Sequence, residues 1–338
     1  MASWIERPPT EIVCMILSAL PDVASLLAAV PSCPRFYAAL LGDEASVTSR
    51  VVLNQIDVSV LPEATAAWES SQLRPRNNDG QNKKAIMDFV ARNIRQRQTT
   101  PKSWSLKEAL RLGRLHSCVE QWAKKFAEKT LASNAASRAL PGATDMEIFR
   151  IQRALYRFEI YCYLFRETPE LPFISSSLRN SLFFAHFAPW ENEQLGCIYH
   201  FLIGAFSQDF STLLSRGYTP DIIDTEPWTI AETDADRELF LSSGFSLHPP
   251  EVYLHQGFIN REEFPDNLFL FYLTPEQEVL YIRQPFFADP DSGPADVWRR
   301  RCNMLGPRNW VYSLHNHSLR GWGFVMWDKS RLKAMNIL

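Results

Sequence analysis

Apolar residues recur at three- and four-residue steps almost from the start of the chain. Ile12, Met15, Ile16 and Leu20 mark one face of a helix. Pro9 suits the first helical turn, where its missing N–H costs little, and Glu11 sits where the helix dipole favours an anion. Leu20-Pro21 ends that helix, and Asp22 is a good N-cap for a second carrying Val23, Leu26, Leu27 and Val30. Pro31 ends the second. Ser32 can cap a third, with Pro34 in its first turn and Phe36, Tyr37, Leu40 and Leu41 along it, and Gly42-Asp43 closes the unit. Three helices in about forty residues are too few to bury their own apolar surface. Either they pack on the remainder of the chain or one face docks on another protein.

The same stretch is apolar enough to suggest a signal peptide or a membrane span. The pattern argues against both. Glu6 and Glu11 flank a single cation, Arg7, so no positive n-region precedes the run. Pro21-Asp22 interrupts it, and a span needs about twenty apolar residues without a charge at its centre. The expectation is an intracellular protein with no membrane partner.

Helical periodicity continues over Ser46–Ile56, Pro62–Leu73, Lys84–Arg97, Leu106–Leu131, Asp145–Arg166, Ser176–Phe187 and Glu191–Arg216. Shorter helices are expected at Asp234–Ser243, Pro250–Phe258, Glu262–Phe271 and Pro275–Arg283. In Asp145–Arg166 the stripe Ile148, Ile151, Leu155, Phe158, Tyr161 and Phe165 reads as core. Strand-like runs are short and confined to Trp310–Leu314 and Phe324–Trp327. The polar segment Arg74–Lys84, with Pro75 and Gly80, reads as an exposed loop or linker. The Trp-rich tail Gly321–Leu332 is expected to lock onto the helical body through Trp322, Phe324 and Trp327. No internal repeat is evident. The fold class is therefore all-α: a helical trio over residues 5–43, then a larger irregular helical domain over 44–338, with at most a few short strands near the C-terminus.

The opening trio resembles an F-box. Pro9, Glu11, Ile12, Ile16, Leu17, Leu20, Pro21, Asp22, Leu26, Leu27, Val30, Cys33, Arg35 and Phe36 follow that family's pattern in order and near its spacing. Pro8 stands where the family has its first Leu, and Pro31 and Pro34 are further departures that put the third helix in question. The segment after the trio and the tail also resemble a group of fungal F-box proteins. The resemblance covers roughly an eighth of the chain. It implies a substrate-recognition subunit of an SCF-type ubiquitin ligase, with the trio binding the Skp adaptor and the rest of the chain holding an unidentified client protein. The matching positions expected to meet the adaptor are Pro9, Ile12, Ile16, Leu20, Pro21, Leu26, Val30, Cys33 and Phe36. Some of these must instead form the trio's own core, and sequence alone does not sort them. The competing reading is a helical scaffold with the trio buried and no ligase role.

Composition adds one asymmetry. The chain of 338 residues carries a formal net charge of -3, which gives no bulk attraction to nucleic acid or membrane. Yet Arg74–Arg138 holds 15 Lys and Arg against 5 Asp and Glu, while Thr219–Trp298 holds 3 against 16. Either these are two solvated faces or one receives a partner of opposite charge. The six cysteines lack C-x-x-C spacing and fall inside apolar helical patterns, which suits a reducing compartment. No phosphate loop, nucleophile elbow or zinc-protease signature is present. His315 and His317 would share a face on a strand, but no further zinc ligands are evident nearby. The basic stretch near Lys83–Arg97 lacks interleaved aromatics for base stacking. The expectation is a non-enzymatic protein without cofactor or metal and without a nucleic-acid partner.

Overall fold

The computed structural model describes residues 8–73, 79–95, 103–165, 182–215, 289–305 and 315–338, and the regular structure among them is helical throughout. In chain order the helices are α1 (Thr10–Ser18), α2 (Val23–Ala29), α3 (Pro34–Gly42), α4 (Glu44–Gln55), α5 (Leu61–Ser71), α6 (Asp79–Phe89), α7 (Leu106–Ser133), α8 (Asp145–Phe165), α9 (Pro189–Ser215), α10 (Gly293–Leu305), α11 (His315–Gly321) and α12 (Lys329–Ala334). The fold is all-α.

The prolines of the opening segment shape its three helices without breaking them. Pro9 is the residue before α1, and Asp22 caps α2 by accepting from Ser25 N–H at 2.7 Å. Pro31 falls in a single 3-10 turn, Val30–Ser32, and Pro34 is the first residue of α3, where no intrahelical N–H is needed. The third helix therefore forms despite both prolines.

The inner faces of the trio, Val13, Leu17, Val23, Leu26, Ala39 and Leu40, join one apolar core with the helices that follow. Two side chains at the end of α4 fix the join. Asn54 donates from Nδ2 to the carbonyls of Ser18 and Leu20, both at 2.8 Å, and so supplies partners for carbonyls that the end of α1 leaves open. Gln55 accepts from Val23 N–H at 3.2 Å and donates to the Gly113 carbonyl at 3.1 Å, tying α2 to α7. Gly113 permits this approach: a Cβ there would stand 2.8 Å from Gln55 Oε1 and 3.4 Å from the Val23 side chain. Replacing Gln55 with Ala is expected to cost about 1–2 kcal/mol. It should also speed amide hydrogen exchange in α1–α3 while leaving α8 protected, as read by mass spectrometry.

Helix α8 is the axis of the body. It lies against α5, α7 and α9, and every residue from Arg150 to Tyr161 is buried. Its apolar stripe meets rings from the next segment: Tyr161 lies 5.4 Å from Phe183 and 5.3 Å from Phe184, between ring centroids. The C-terminal segment closes the other side, with Phe324, Val325, Met326 and Trp327 fully buried.

Several local expectations change. Phe324–Trp327 is a buried turn and not a strand. Its apolar run comes from burial against three helices and not from alternation: Val325 O accepts from Gln194 of α9, Met326 O from Arg150 of α8, and Gly323, at φ +65°, lies where a Cβ would be 2.9 Å from Phe126 of α7. His315 and His317 lie on helix α11, where positions two apart are separated by about 200° around the axis, so the shared face expected of a strand is lost. The segment expected as a loop over 74–84 is helical from Asp79 onward, its lysines Lys83 and Lys84 lying exposed on α6. Of the helix expected over Ser176–Phe187, the described residues include the helical Leu182, a turn at Phe183 and a 3-10 turn at Phe184–His186, and 176–181 lie outside the described residues. The strand expected at Trp310–Leu314 and the four short helices expected between Asp234 and Arg283 lie outside the described residues.

Candidate docking surface and the buried charges behind it

With their inner faces committed to the core, the three opening helices turn a second apolar stripe outward. On α1 this is Ile12, Met15 and Ile16, spaced i, i+3, i+4, with Met15 66% exposed. On α2 it is Leu27, and on α3 Tyr37 and Leu41, one turn apart. Elsewhere among the described residues only Leu53, Val58 and Met87 are large apolar side chains left in water. Such concentration marks a face that another apolar surface can cover.

The surface carries little charge. From Ile12 to Gly42 the only ionisable carboxylate and cation are Asp22 and Arg35. Asp22 is engaged as the α2 cap, and Arg35 reaches back to the Pro8 carbonyl. Cys14 of α1 is half-buried, its Sγ 3.6 Å from the Ala39 carbonyl of α3. Burial, then the nearby carboxylates of Asp43 and Glu11, push its pKa above the ordinary thiol value, so it packs as a neutral group.

The nine positions singled out by the family pattern divide three ways. Pro9, Ile12, Ile16 and Pro21 are exposed; Leu20, Cys33 and Phe36 are half-buried; Leu26 and Val30 are buried, Leu26 completely. Leu26 and Val30 therefore belong to the trio's core in this chain. The positions expected to meet the adaptor leave out Met15, Leu27, Tyr37 and Leu41, which are exposed. Their signal was present as the second apolar neighbour in Met15-Ile16, Leu26-Leu27 and Leu40-Leu41: a helix apolar over more than one stripe has a stripe to spare.

The charges of the body are arranged differently, as buried ion pairs that tie α8 to α5, α9, Asp289 and the C-terminal segment, and α9 to α11. Arg150 binds Asp289 in a fork, Nε to Oδ2 at 2.9 Å and Nη2 to Oδ1 at 2.8 Å, and reaches Asp328 at 3.0 Å and the Met326 carbonyl at 2.6 Å. Arg153 adds a second contact to Asp289 at 2.9 Å. Arg157 pairs with Glu63 of α5 at 3.2 Å and Glu191 of α9 at 2.8 Å. Glu147 receives Arg331 of α12 on both oxygens at 2.8 Å, and Arg320 pairs with Glu193 at 2.7 Å.

Opposing effects set the titration of these groups. Burial alone would raise the pKa of Glu147, but hydrogen bonds from Arg331 and from the backbone N–H groups of Asp328 and Thr144 outweigh it and hold the carboxyl below its usual range. Burial likewise works against Asp289, and Arg150 reverses it. His116 of α7 is buried and its pKa is lowered by that burial; its Nδ1 lies 2.8 Å from Tyr156 Oη of α8. Glu159 differs from the rest. It is buried with no hydrogen bond or ion pair among the described residues, and burial lifts its pKa to about 7.

Among the described residues no group of three or more His, Cys, Asp or Glu is placed to hold a metal, and no helix is long and apolar enough to cross a membrane. Compared with family models, curated proteins and solved structures, the chain finds no match in any of the three.

Proposed function

We propose that this chain is an F-box-type substrate-recognition subunit of an SCF ubiquitin ligase, with the outward stripe of α1–α3 docking on the Skp adaptor and the helical body presenting a client protein. The observation that carries the reading is the division of each short helix into an inner stripe anchored on the body and an outer stripe left in water, in a segment that follows the F-box pattern from Pro9 to Phe36. The protein's contribution is non-catalytic and intracellular. It holds the client near a ubiquitin-conjugating enzyme, and the rate gain comes from effective concentration. A few large side chains, Ile12, Met15, Ile16 and Tyr37 foremost, supply most of the binding energy.

A second reading is favoured by one specific observation: Leu26 and Val30 are buried against the chain's own core. On that reading the trio is a structural cap on a helical scaffold and meets no adaptor.

The two readings part at Ile16→Asp. Ile16 is exposed, so the change leaves Val13 and Leu17 in place and should shift the melting temperature little. Co-expression of the wild-type chain with the Skp adaptor is expected to give a stable complex on size-exclusion chromatography, and Ile16→Asp is expected to abolish it. A wild-type chain that elutes alone would leave the scaffold reading standing.

A further inference from the structure

Helix α7 presents a face with an unusual charge pattern. Lys107, Arg111, Arg114, Gln121 and Lys125 are all exposed. At 100° per residue Lys107, Arg111 and Arg114 fall within a wedge of about 60° and run about 10 Å along the helix, and the buried Cys118, in the same sector, separates them from Gln121 and Lys125. No carboxylate lies in that wedge. Glu108 is held in the capping box with Ser105, Glu120 is paired with Lys124 at 3.1 Å on another side, and Glu128 lies beyond Lys125. Among the described residues Lys107, Arg111 and Arg114 make no ion pair. A face built only for solvation alternates its charges, because like charges three or four residues apart repel. Here Lys107, Arg111 and Arg114 repeat one sign at i, i+4 and i+7. Farther along, Lys125 Nζ lies 4.8 Å from the Trp122 ring centroid and Lys129 Nζ 5.5 Å from that of Phe201, so both cations are held near the helix surface.

We propose that this face of α7 receives an acidic segment of a client protein, Lys107, Arg111 and Arg114 each meeting a carboxylate. This rests on the ligase reading and gives it a client class. The face is one row on a convex helix, and it exposes no aromatic side chain on which a base could stack, since Trp122 and Phe126 are buried. Both features favour an acidic polypeptide over a nucleic acid. The row also begins close to the trio: Gly113, between Arg111 and Arg114 in sequence, is where α7 meets α2 through Gln55.

The test uses the full chain and a fluorescein-labelled poly-L-glutamate peptide of about 20 residues, followed by anisotropy at about 50 mM and about 300 mM salt. A labelled DNA duplex of similar charge runs in parallel. The expected result is peptide binding that weakens with salt, weaker binding of the duplex, and a loss of about tenfold in R111E/R114E. The control K83E/K84E makes the same change in net charge on α6 and should lose less than about threefold. Tighter binding of the duplex, equal losses in the two variants, or no peptide binding by the wild type each overturn the proposal. Circular dichroism checks that both variants fold. Adaptor co-purification, run on the wild type and on R111E/R114E, separates the two claims. Peptide binding without adaptor binding removes the ligase role, and with it the client assignment, while adaptor binding without peptide binding sinks only the acidic site.

Discussion

Replacing Arg150 with Met lowers the unfolding free energy by about 3–5 kcal/mol, because it leaves buried carboxylates without their cation. That is a large part of the 5–15 kcal/mol typical of a folded chain, so the variant should be partly unfolded near physiological temperature. The guanidinium satisfies Asp289 through two hydrogen bonds, Asp328 through one and the Met326 carbonyl through another. Met fills a similar volume but satisfies none of them. Arg153 still touches Asp289, and Thr144 Oγ1 still donates to Asp328 at 2.9 Å, which keeps the loss from being total. The damage should concentrate in the C-terminal segment, since Asp328 and Met326 both belong to it. Urea denaturation gives the size, and hydrogen exchange over residues 322–338 gives the place. Arg150→Lys should also cost stability, since a single ammonium cannot reproduce the fork to Asp289. Adding Asp289→Asn and Asp328→Asn to the Met variant should restore part of the loss by removing the stranded charges. If Arg150→Met unfolds at the wild-type urea midpoint, the tail is held by its apolar residues alone.

Replacing Glu159 with Gln has the opposite sign. The carboxyl titrates at about 7 in the folded chain, because burial disfavours its charged form, against about 4.3 when unfolded. Between these values the folded state holds a proton that the unfolded state has released, so stability falls as pH rises through the window and levels off above it. At pH 8 the accumulated cost is on the order of 3 kcal/mol, and Glu159→Gln removes most of it. The variant should therefore melt higher than the wild type at pH 8 and at the same temperature at pH 4. Glu147 and Asp289 behave in the other direction. Their folded pKa values are lowered, so their stabilisation is present at neutral pH and is lost as pH falls below the ordinary carboxylate range. Together these groups place the stability maximum on the mildly acidic side of neutral, and a thermal melt series across pH 3–9 reads it directly. An equal gain from Glu159→Gln at both pH 4 and pH 8 would show that folding does not shift the titration of Glu159.

Both predictions concern charged residues on α8, and α8 is where pattern reading fell short. The stripe from Ile148 to Phe165 identified the helix and its apolar face. A helix with one apolar stripe ordinarily turns its charged residues, here Glu147, Arg150, Arg153 and Arg157, to water. They are instead buried, because partners arrive to neutralise them: Asp289, Asp328 and Arg331 from about 130 to 185 positions away for Glu147, Arg150 and Arg153, and Glu63 and Glu191 for Arg157. Periodicity in a window of twenty residues carries no trace of such partners. A turn can mimic a strand for the same reason, and Phe324–Trp327 does: four apolar residues in a row are compatible with any backbone that is buried on all sides.

The opening trio was legible because its signals are local. Proline positions, the Asp22 cap and three- and four-residue spacing act within a turn or two of chain, and they fixed the three helices and their order. Sequence by itself thus determined that the protein is all-α, where most of its helices lie, and which residues are candidates for a docking surface. Tertiary structure alone decided which of those candidates face outward. Leu26 and Leu27 are adjacent and chemically the same, yet one is fully buried and the other exposed. The difference comes from α4 and α7, which meet α2 on one side through Gln55 and Gly113 and leave the other side to water.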